Sequence, residues 1–535
     1  MKILILFFLF KSALSSRLNI ILILADDLGW NDVSFHGANQ IFTPNIDSLA
    51  YNGIVLNQFY TQSACSPSRA ALLTGKYPIR TGFQGYPLLG GENHPLPLTS
   101  PTLPEELKKL NYKTHLVGKW HLGSPCLKNT PIGRGFDTFF GYYNGFIGYF
   151  DYKMAQNDFL GYDLHKNNET CYDATNRYIL DVLNEKVIEI IENHNENEPL
   201  FLMISHLAPH VGENGTELPV KNQTEVNNKF NFIEDEERRR YADIVQTLDS
   251  TISDTIVALN RRNLLENSII FFLSDNGGQT YGMHANKASN WPLKGQKFTI
   301  LNGGIRVPCI IYSPKLPKSI IKHDLVHIVD LFSTIINMAG GELNDSSSFD
   351  SINIKKNLFE NTQSSRKELL LELDDHMDVF GFISGDYKLV KDNYLGGFYH
   401  NRSGETGRGV NDPDYDSKSV LNSPVNKILE RFSTKNEILT ENKIKEIRNK
   451  LDLGIFNNTN EFNCSKTCLF NLKDNPLETT NIIDDFEEIS NDLWRKINDF
   501  KQFVVPRGVP TVDIASNPTF FNGTWSPWLE NKGKC

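Results

Sequence analysis

The chain is 535 residues long, 40% hydrophobic and 22% charged, enough to bury a large core beneath a solvated surface. Its 37 glycines and 24 prolines exclude collagen-like and low-complexity chains. With 54 basic against 64 acidic residues the net charge is −10, and no Lys/Arg block is long enough to follow a nucleic-acid backbone, which excludes nucleic acid as a partner.

Lys2 precedes an apolar run, Ile3 to Phe10, and small residues follow at Ser12 to Ser16. That order reads as a secretory signal peptide over residues 1–16, with an apolar run too short to span a bilayer as a helix. No later stretch predicts a membrane span. The expected destination is the secretory pathway, lysosomal or secreted. Cysteines stand at 65, 126, 171, 309, 464, 468 and 535, an odd number that leaves at least one unpaired and the pairing open. Cys464 and Cys468 lack a second ligand pair at finger-like spacing, so they read as disulfide cysteines rather than half a zinc site. Glycan acceptors of the Asn-x-Ser/Thr type at Asn168, Asn214, Asn222, Asn344, Asn401, Asn457, Asn463 and Asn522 suit a secreted surface.

Asn19 to Leu24 is a continuous apolar run that ends in Ala25-Asp26-Asp27. Leu200 to Ser205, ending near Pro209-His210, and Ser268 to Leu273, ending in Ser274-Asp275-Asn276, share the form. Such runs are strands buried on both faces of a parallel sheet. Amphipathic stretches from Thr175 to Glu192 and from Arg238 to Asn260 predict helices between them. The alternation predicts an α/β fold, a large, mostly parallel sheet covered by helices, over residues 17–362. Ligands of such sheets collect at the carboxyl ends of the strands, where all three runs finish in polar or ionisable residues.

Beyond Asn361 the pattern changes. Leu369 to Leu373, Val379 to Ser384, Tyr387 to Val390 and Cys468 to Leu472 predict short strands, and Asp484 to Phe503 an amphipathic helix. Residues 363–535 therefore read as a smaller antiparallel α+β domain. Within it, residues 405–445, rich in Gly, Asn, Ser and Lys, read as a long insertion or loop.

Asp26 and Asp27 at one strand end, with Asp275 and Asn276 at another, offer three carboxylates and an amide oxygen, hard ligands suited to Ca²⁺ or Mg²⁺. Without a cation such carboxylates would repel one another at a buried edge. Each pair taken alone also reads as an ordinary cap or turn.

Cys65-Ser-Pro-Ser-Arg69, continuing Ala-Ala-Leu-Leu-Thr-Gly75, resembles the signature of the type I sulfatases. Family-like motifs flank it in order: Asp26-Asp-Leu-Gly-Trp30, Thr43-Pro-Asn-Ile-Asp47, Gly118-Lys-Trp-His-Leu-Gly123 and Asp275-Asn-Gly-Gly278. The resemblance runs from about Asn19 to Trp528. Within the family, Asn276-Gly-Gly-Gln-Thr280, Asn290-Trp-Pro-Leu293, Leu469-Phe-Asn-Leu472, Asn475-Pro-Leu-Glu478 and Gly523-Thr-Trp-Ser-Pro-Trp528 look most like the arylsulfatase B group, N-acetylgalactosamine-4-sulfatase and its relatives.

The resemblance implies an alkaline-phosphatase-like fold and hydrolysis of sulfate monoesters, on aryl sulfates or sulfated carbohydrates. It implies that a formylglycine-generating enzyme oxidises Cys65 to Cα-formylglycine during maturation. One Ca²⁺ would be held by Asp26, Asp27, Asp275, Asn276 and the oxidised Cys65. Arg69 matches the residue that stabilises the aldehyde hydrate, and Lys119 and His121 the pair that grips sulfate and nucleophile. The leaving-group acid falls on His210 rather than His206, counting from Pro199. The second lysine falls on Lys297 rather than Lys294, four residues before Asn302-Gly-Gly-Ile-Arg306. Asn302 replaces the family's Glu, which removes a carboxylate near that lysine. Two other readings use the same residues: a catalytically silent secreted glycan binder, and a phosphatase or phosphodiesterase on the same scaffold. The second would need a Ser or Thr nucleophile and usually a His-rich two-metal site, and the first a lost Cys65, Arg69, Lys119 or His210.

Overall fold

The computed structural model describes residues 17–212, 218–343, 348–454, 463–530 and 533–535. The signal segment 1–16 and the acceptors Asn214, Asn344 and Asn457 lie outside the described residues.

A ten-stranded mixed sheet organises the chain. Its strands are β1 (Asn19–Ala25), β2 (Ile54–Leu56), β3 (Lys113–Lys119), β4 (Thr138–Tyr142), β5 (His165–Lys166), β6 (Glu169–Thr170), β7 (Leu200–Ser205), β8 (Ser268–Ser274), β9 (Cys309–Tyr312) and β10 (Ile320–Lys322), in the spatial order β10-β2-β9-β8-β1-β7-β3-β4-β5-β6. The centre is parallel, as the apolar runs predict: β1 pairs with β8 from Asn19↔Ser268 to Ala25↔Ser274, and with β7 from Ile20↔Phe201 to Leu24↔Ser205. Both flanks turn antiparallel at β8–β9 and β4–β5.

Side chains alternate across the pleat. Ile21, Ile23 and Ala25 of β1 join one core, with the helices α1 (Pro44–Asn52), α3 (Ile179–Asn193) and α4 (Glu236–Arg261). Ile20, Leu22 and Leu24 join the other, with α2 (Cys65–Thr74) and α5 (Asp330–Met338). Every residue of β1, β7 and β8 is buried, so each strand is clamped between two layers and its end is fixed in place.

Helix boundaries depart from the periodicity for local reasons. α4 begins two residues before Arg238 because Asp235 caps it, its carboxylate accepting from Glu237 N and Arg238 N. α3 begins at Ile179 rather than Thr175 because Tyr178 is extended and Ile179 N donates to Tyr149 O, pinning the entry to another loop.

A four-stranded antiparallel sheet, β11 (Glu368–Asp374), β12 (Val379–Ser384), β13 (Tyr387–Asp392) and β14 (Cys468–Asn471), carries α9 (Glu487–Phe500) through buried Leu493 and Ile497. Its apolar residues merge with the α2/α5 core. The loop expected at residues 405–445 is corrected: it contains α6 (Ser417–Asn422), α7 (Pro424–Leu429) and the start of α8 (Glu441–Leu451). Asp416, Ser423 and Thr440 cap these helices, and Val425, Leu429, Ile444 and Leu451 enter the core on the opposite face, beside α1 and α4. Apolar residues four apart in a polar stretch were the missed signal.

Disulfides join Cys126 to Cys535 and Cys464 to Cys468, while Cys65, Cys171 and Cys309 are buried and unpaired. Among the described residues no helix is long and apolar enough to cross a membrane.

Candidate active site

The site forms where the central strands end. Asp26 and Asp27 follow β1, Asp275 and Asn276 follow β8, Ser205 closes β7 and Lys119 closes β3. Against this edge lies the N-terminus of α2, with Cys65 as its first residue. Ala70 to Leu73 hold the helix against the sheet, and Gly75, in the left-handed region at φ 65°, ends it by donating to Ala71 O. The glycines after Asn276 are required by crowding, since a Cβ on Gly277 would lie 1.9 Å from Gly303 O.

Asp26, Asp27, Asp275 and Asn276 are fully buried and Cys65 is 2% exposed. Lys119 Nζ donates to both oxygens of Asp26, at 3.0 and 2.8 Å, and Lys297 Nζ to Asp27 Oδ2 at 2.7 Å. Arg69 donates through Nε and Nη2 to Asp275 Oδ2, at 3.1 and 2.7 Å, and through Nη1 to Ser205 Oγ. Burial, with Asp275 and Asp27 nearby, pushes the Asp26 carboxyl up to about 7 against the pull of Lys119 and Arg69. Burial also raises Asp27, but Lys297 and His210 more than offset it and hold that carboxyl well below the usual range. The Cys65 thiol is pushed up by burial, opposed by Lys119 and Lys297.

The donor set fits a hard cation. Ligand atoms of Asp26, Cys65 and Asp275 lie within 4.8 Å of one another, as do those of Asp26, Asp27 and His210. Asn276 Nδ2 donates to Asp27 Oδ1 at 2.7 Å and to Gly277 O at 2.9 Å, while its Oδ1 is buried with no hydrogen-bond partner. An orphaned amide oxygen beside three buried carboxylates is the arrangement a hard divalent cation satisfies.

His210 is 3% exposed and stacks on Phe146, with ring centroids 5.3 Å apart. Its Nδ1 donates to Val211 O at 2.8 Å, which leaves Nε2 toward Asp27 Oδ2, 3.6 Å away. Burial, reinforced by Lys297 and Lys119, lowers its basicity well below that of a free imidazole, despite Asp27. His121, in the left-handed region at φ 56°, donates from Nε2 to Leu88 O at 2.9 Å and leaves Nδ1 without a partner. Burial and the adjacent Lys119 keep that ring neutral. His206 stays apart: its Nδ1 accepts from Ala208 N, and Nε2 meets Thr251 Oγ1 of α4. Lys294 likewise points elsewhere, to Asn401 Oδ1. Asp26, Asp27, Cys65, Arg69, Lys119, His210, Asp275, Asn276 and Lys297 thus meet at one sheet edge, with His121 within the field of Lys119, Arg69 and Lys297.

The structure adds contacts whose roles the motifs did not give. Ser205 and Phe146 fix Arg69 and His210. Asn302 lacks the family's carboxylate, and Glu478 supplies one from the distal chain, accepting from Asn302 N at 2.7 Å and pairing with buried Lys388, whose Nζ also donates to Asn302 Oδ1. A pair so distant in sequence carries no local signal.

Similar proteins bear on the family and the fold. The family model for sulfatases matches residues 18–341. Arylsulfatase J of Mus musculus is 33% identical over 526 residues, covering 97% of this chain and 82% of that protein. N-acetylgalactosamine-6-sulfatase of Homo sapiens is 31% identical over 364 residues, 64% of this chain and 66% of that protein. Among solved structures, Ps i-CgsB superposes with a TM-score of 0.70 at 24% identity, over 91% of this chain and 94% of its own, which bears on the fold alone. The ten-stranded mixed sheet, its smaller antiparallel companion, the ordered motifs and the relatives agree: the chain belongs to the type I sulfatase family and is a sulfuric ester hydrolase.

Proposed function

We propose that the protein hydrolyses sulfate monoesters of glycosaminoglycan-type sugars, N-acetylgalactosamine 4-sulfate among them, and aryl sulfates in vitro. The observation that carries this reading is the buried meeting of Cys65 with three carboxylates, two lysines and one imidazole at a single sheet edge. Sulfated N-acetylgalactosamine is favoured by the name of one relative and by the distal motifs shared with the arylsulfatase B group.

Asp26, Asp27, Asp275 and Asn276 would hold one Ca²⁺, which supplies charge neutralisation and acidifies a nearby hydroxyl. Cys65, converted to formylglycine by a formylglycine-generating enzyme, supplies two hydroxyls on one carbon, one to accept the sulfuryl group and one for its release.

The chain's own side chains do the rest. Lys119 and Lys297 present fixed positive charge to the sulfate oxygens, in a site dry enough for that charge to count. Their carboxylate partners, Asp26 and Asp27, orient both ammonium groups before substrate arrives. A sulfate between the lysines offsets the repulsion that, added to burial, keeps His210 neutral, and so favours a proton on Nε2, where it can pass to the leaving oxygen. His121 Nδ1, free and neutral, can take a proton from the nucleophilic group. Arg69, anchored on Asp275 and Ser205, holds α2 and Cys65 in register with the strand ends. Disulfides, surface glycan acceptors and the leader-like N-terminus support a lysosomal or secreted location.

The test is peptide mass spectrometry of the secreted protein, paired with Cys65→Ser. The expected result is an aldehyde at Cys65 in the wild type, and a folded, secreted variant that does not turn over a chromogenic aryl sulfate. Turnover by Cys65→Ser near the wild-type rate would refute the formylglycine reading.

A further inference from the structure

Two loops build a rim beside the site. One follows Asn276 and carries Tyr281 and His284; the other follows β13 and carries Tyr394, Phe398 and Arg402. They are tied together, since Thr280 Oγ1 donates to Arg402 O at 3.1 Å and a Cβ on Gly282 would lie 2.2 Å from Tyr399 Oη. Rings connect the rim to the site. Lys297 Nζ lies 5.6 Å from the Phe298 centroid, and contacts of 5.4 to 5.9 Å lead through Tyr394 and Tyr399 to Phe398 and Tyr281. On the other side His284 lies 6.2 Å from the His210 ring. The rim therefore spans from the second lysine to the acid.

Its outer end is unusual for a monomer surface. Tyr281 is 51% and Phe398 50% exposed, and the Arg402 guanidinium sits 4.8 and 5.3 Å from their centroids. Arg402 is exposed and forms no ion pair among the described residues, in a chain whose net charge is −10. These cation–π contacts keep the guanidinium beside both rings, and no carboxylate among the described residues takes its N–H groups.

We propose that Tyr281, Phe398 and Arg402 form a subsite for the next acidic sugar of a sulfated oligosaccharide, beyond the residue whose sulfate is cleaved. This rests on the sulfated-sugar reading above. A pyranose offers an apolar C–H face to the rings and anionic substituents at its edge, and a carboxylate or sulfate there accepts a forked pair of bonds from Arg402. Because the rings of Phe298, Tyr394 and Tyr399 intervene, the sugar bound at Lys297 does not itself reach Arg402; its neighbour does. The enzyme then selects an anionic chain over a single sulfated sugar.

Arg402→Ala and Phe398→Ala are compared with wild type on nitrophenyl sulfate, sulfated N-acetylgalactosamine and a sulfated glycosaminoglycan tetrasaccharide. Arg402→Ala keeps the Asn401 glycan acceptor intact. The expected kcat/KM on the first two substrates stays within about twofold, while on the tetrasaccharide Arg402→Ala loses about 10- to 100-fold, the worth of a charge-assisted pair. Arg402→Lys should fall between, because it keeps the charge and loses the fork. Equal losses on all three substrates, or an unchanged tetrasaccharide value, overturn the subsite. A wild type that cleaves nitrophenyl sulfate but neither sugar overturns the sulfated-sugar reading, and the subsite with it. A tetrasaccharide gain in Asn401→Gln without any Arg402 dependence would assign the platform to the protein's own glycan and also overturn the proposal.

Discussion

His210→Ala is expected to slow hydrolysis selectively according to the leaving group. The side chain is nearly sealed, its Nδ1 is committed to Val211 O, and only Nε2 faces the carboxylates. Its removal deletes the proton carrier assigned to that side while leaving Lys119, Lys297 and the metal ligands in place. A general acid is worth about 10²–10⁴-fold when the departing oxygen is a poor leaving group, equivalent to about 3–5 kcal/mol of barrier. A nitrophenolate departs with little help, so its loss should stay below about tenfold. The lost stacking on Phe146 costs about 1–3 kcal/mol of stability, which a fold of typical stability survives. The assay is kcat for both variants, His210→Ala and His206→Ala, on a sulfated sugar and on nitrophenyl sulfate, with thermal melts alongside. His206→Ala should move the melting temperature alone, because its partners are Ala208 N and Thr251. Equal losses on both substrates, or a selective loss at His206, would refute the assignment.

Asp275→Ala should remove the bound cation and the activity together, and it leaves the buried Arg69 guanidinium without its main partner, at a cost of about 3–5 kcal/mol; elemental analysis with a melting curve checks both, and retained calcium would contradict the ligand set. Glu372, fully buried beside Asp374, is pushed up to about 8 by burial, so it keeps its proton in the fold after the unfolded chain has lost it. Its contribution is complete below about pH 4.5 and disappears as pH rises through about 8, a loss on the order of a few kcal/mol. Glu372→Gln should flatten the fall in denaturation free energy across that window, and an unaltered slope would show that other groups carry it.

The strands and the site were legible because burial on both faces writes itself as unbroken apolar runs, and because Asp26 and Asp275 stand at the ends of two of those runs, with His210 just beyond Pro209 after the third. Helix starts were less legible, since Asp235 and the Tyr149 contact act from outside the periodic segment. The helices between 417 and 451 were hidden because short helices need few apolar residues, and Val425, Leu429 and Ile444 stand in otherwise polar surroundings. Glu478 stood in one of the distal motifs, but nothing local gave its partners. Its role follows only from the juxtaposition of Lys388 and Asn302, 90 and 176 residues away along the chain.

The crossing of the chain between the two cores has a temporal side. Residues 417–451 finish the layer beside α1, Trp525 then packs into the same core with its Nε1 donating to Met154 O, and Cys535 locks to Cys126. Arg507 reaches back to Gln84 O and Glu92, straddling the stretch whose Leu88 carbonyl receives His121. Cys65, 2% exposed once all this is in place, is beyond the reach of any modifying enzyme. If Cys65 is converted to formylglycine as proposed, the conversion has to precede this burial. On that reading, a chain that completes its fold before the modifying enzyme acts keeps an unmodified thiol in an otherwise intact site.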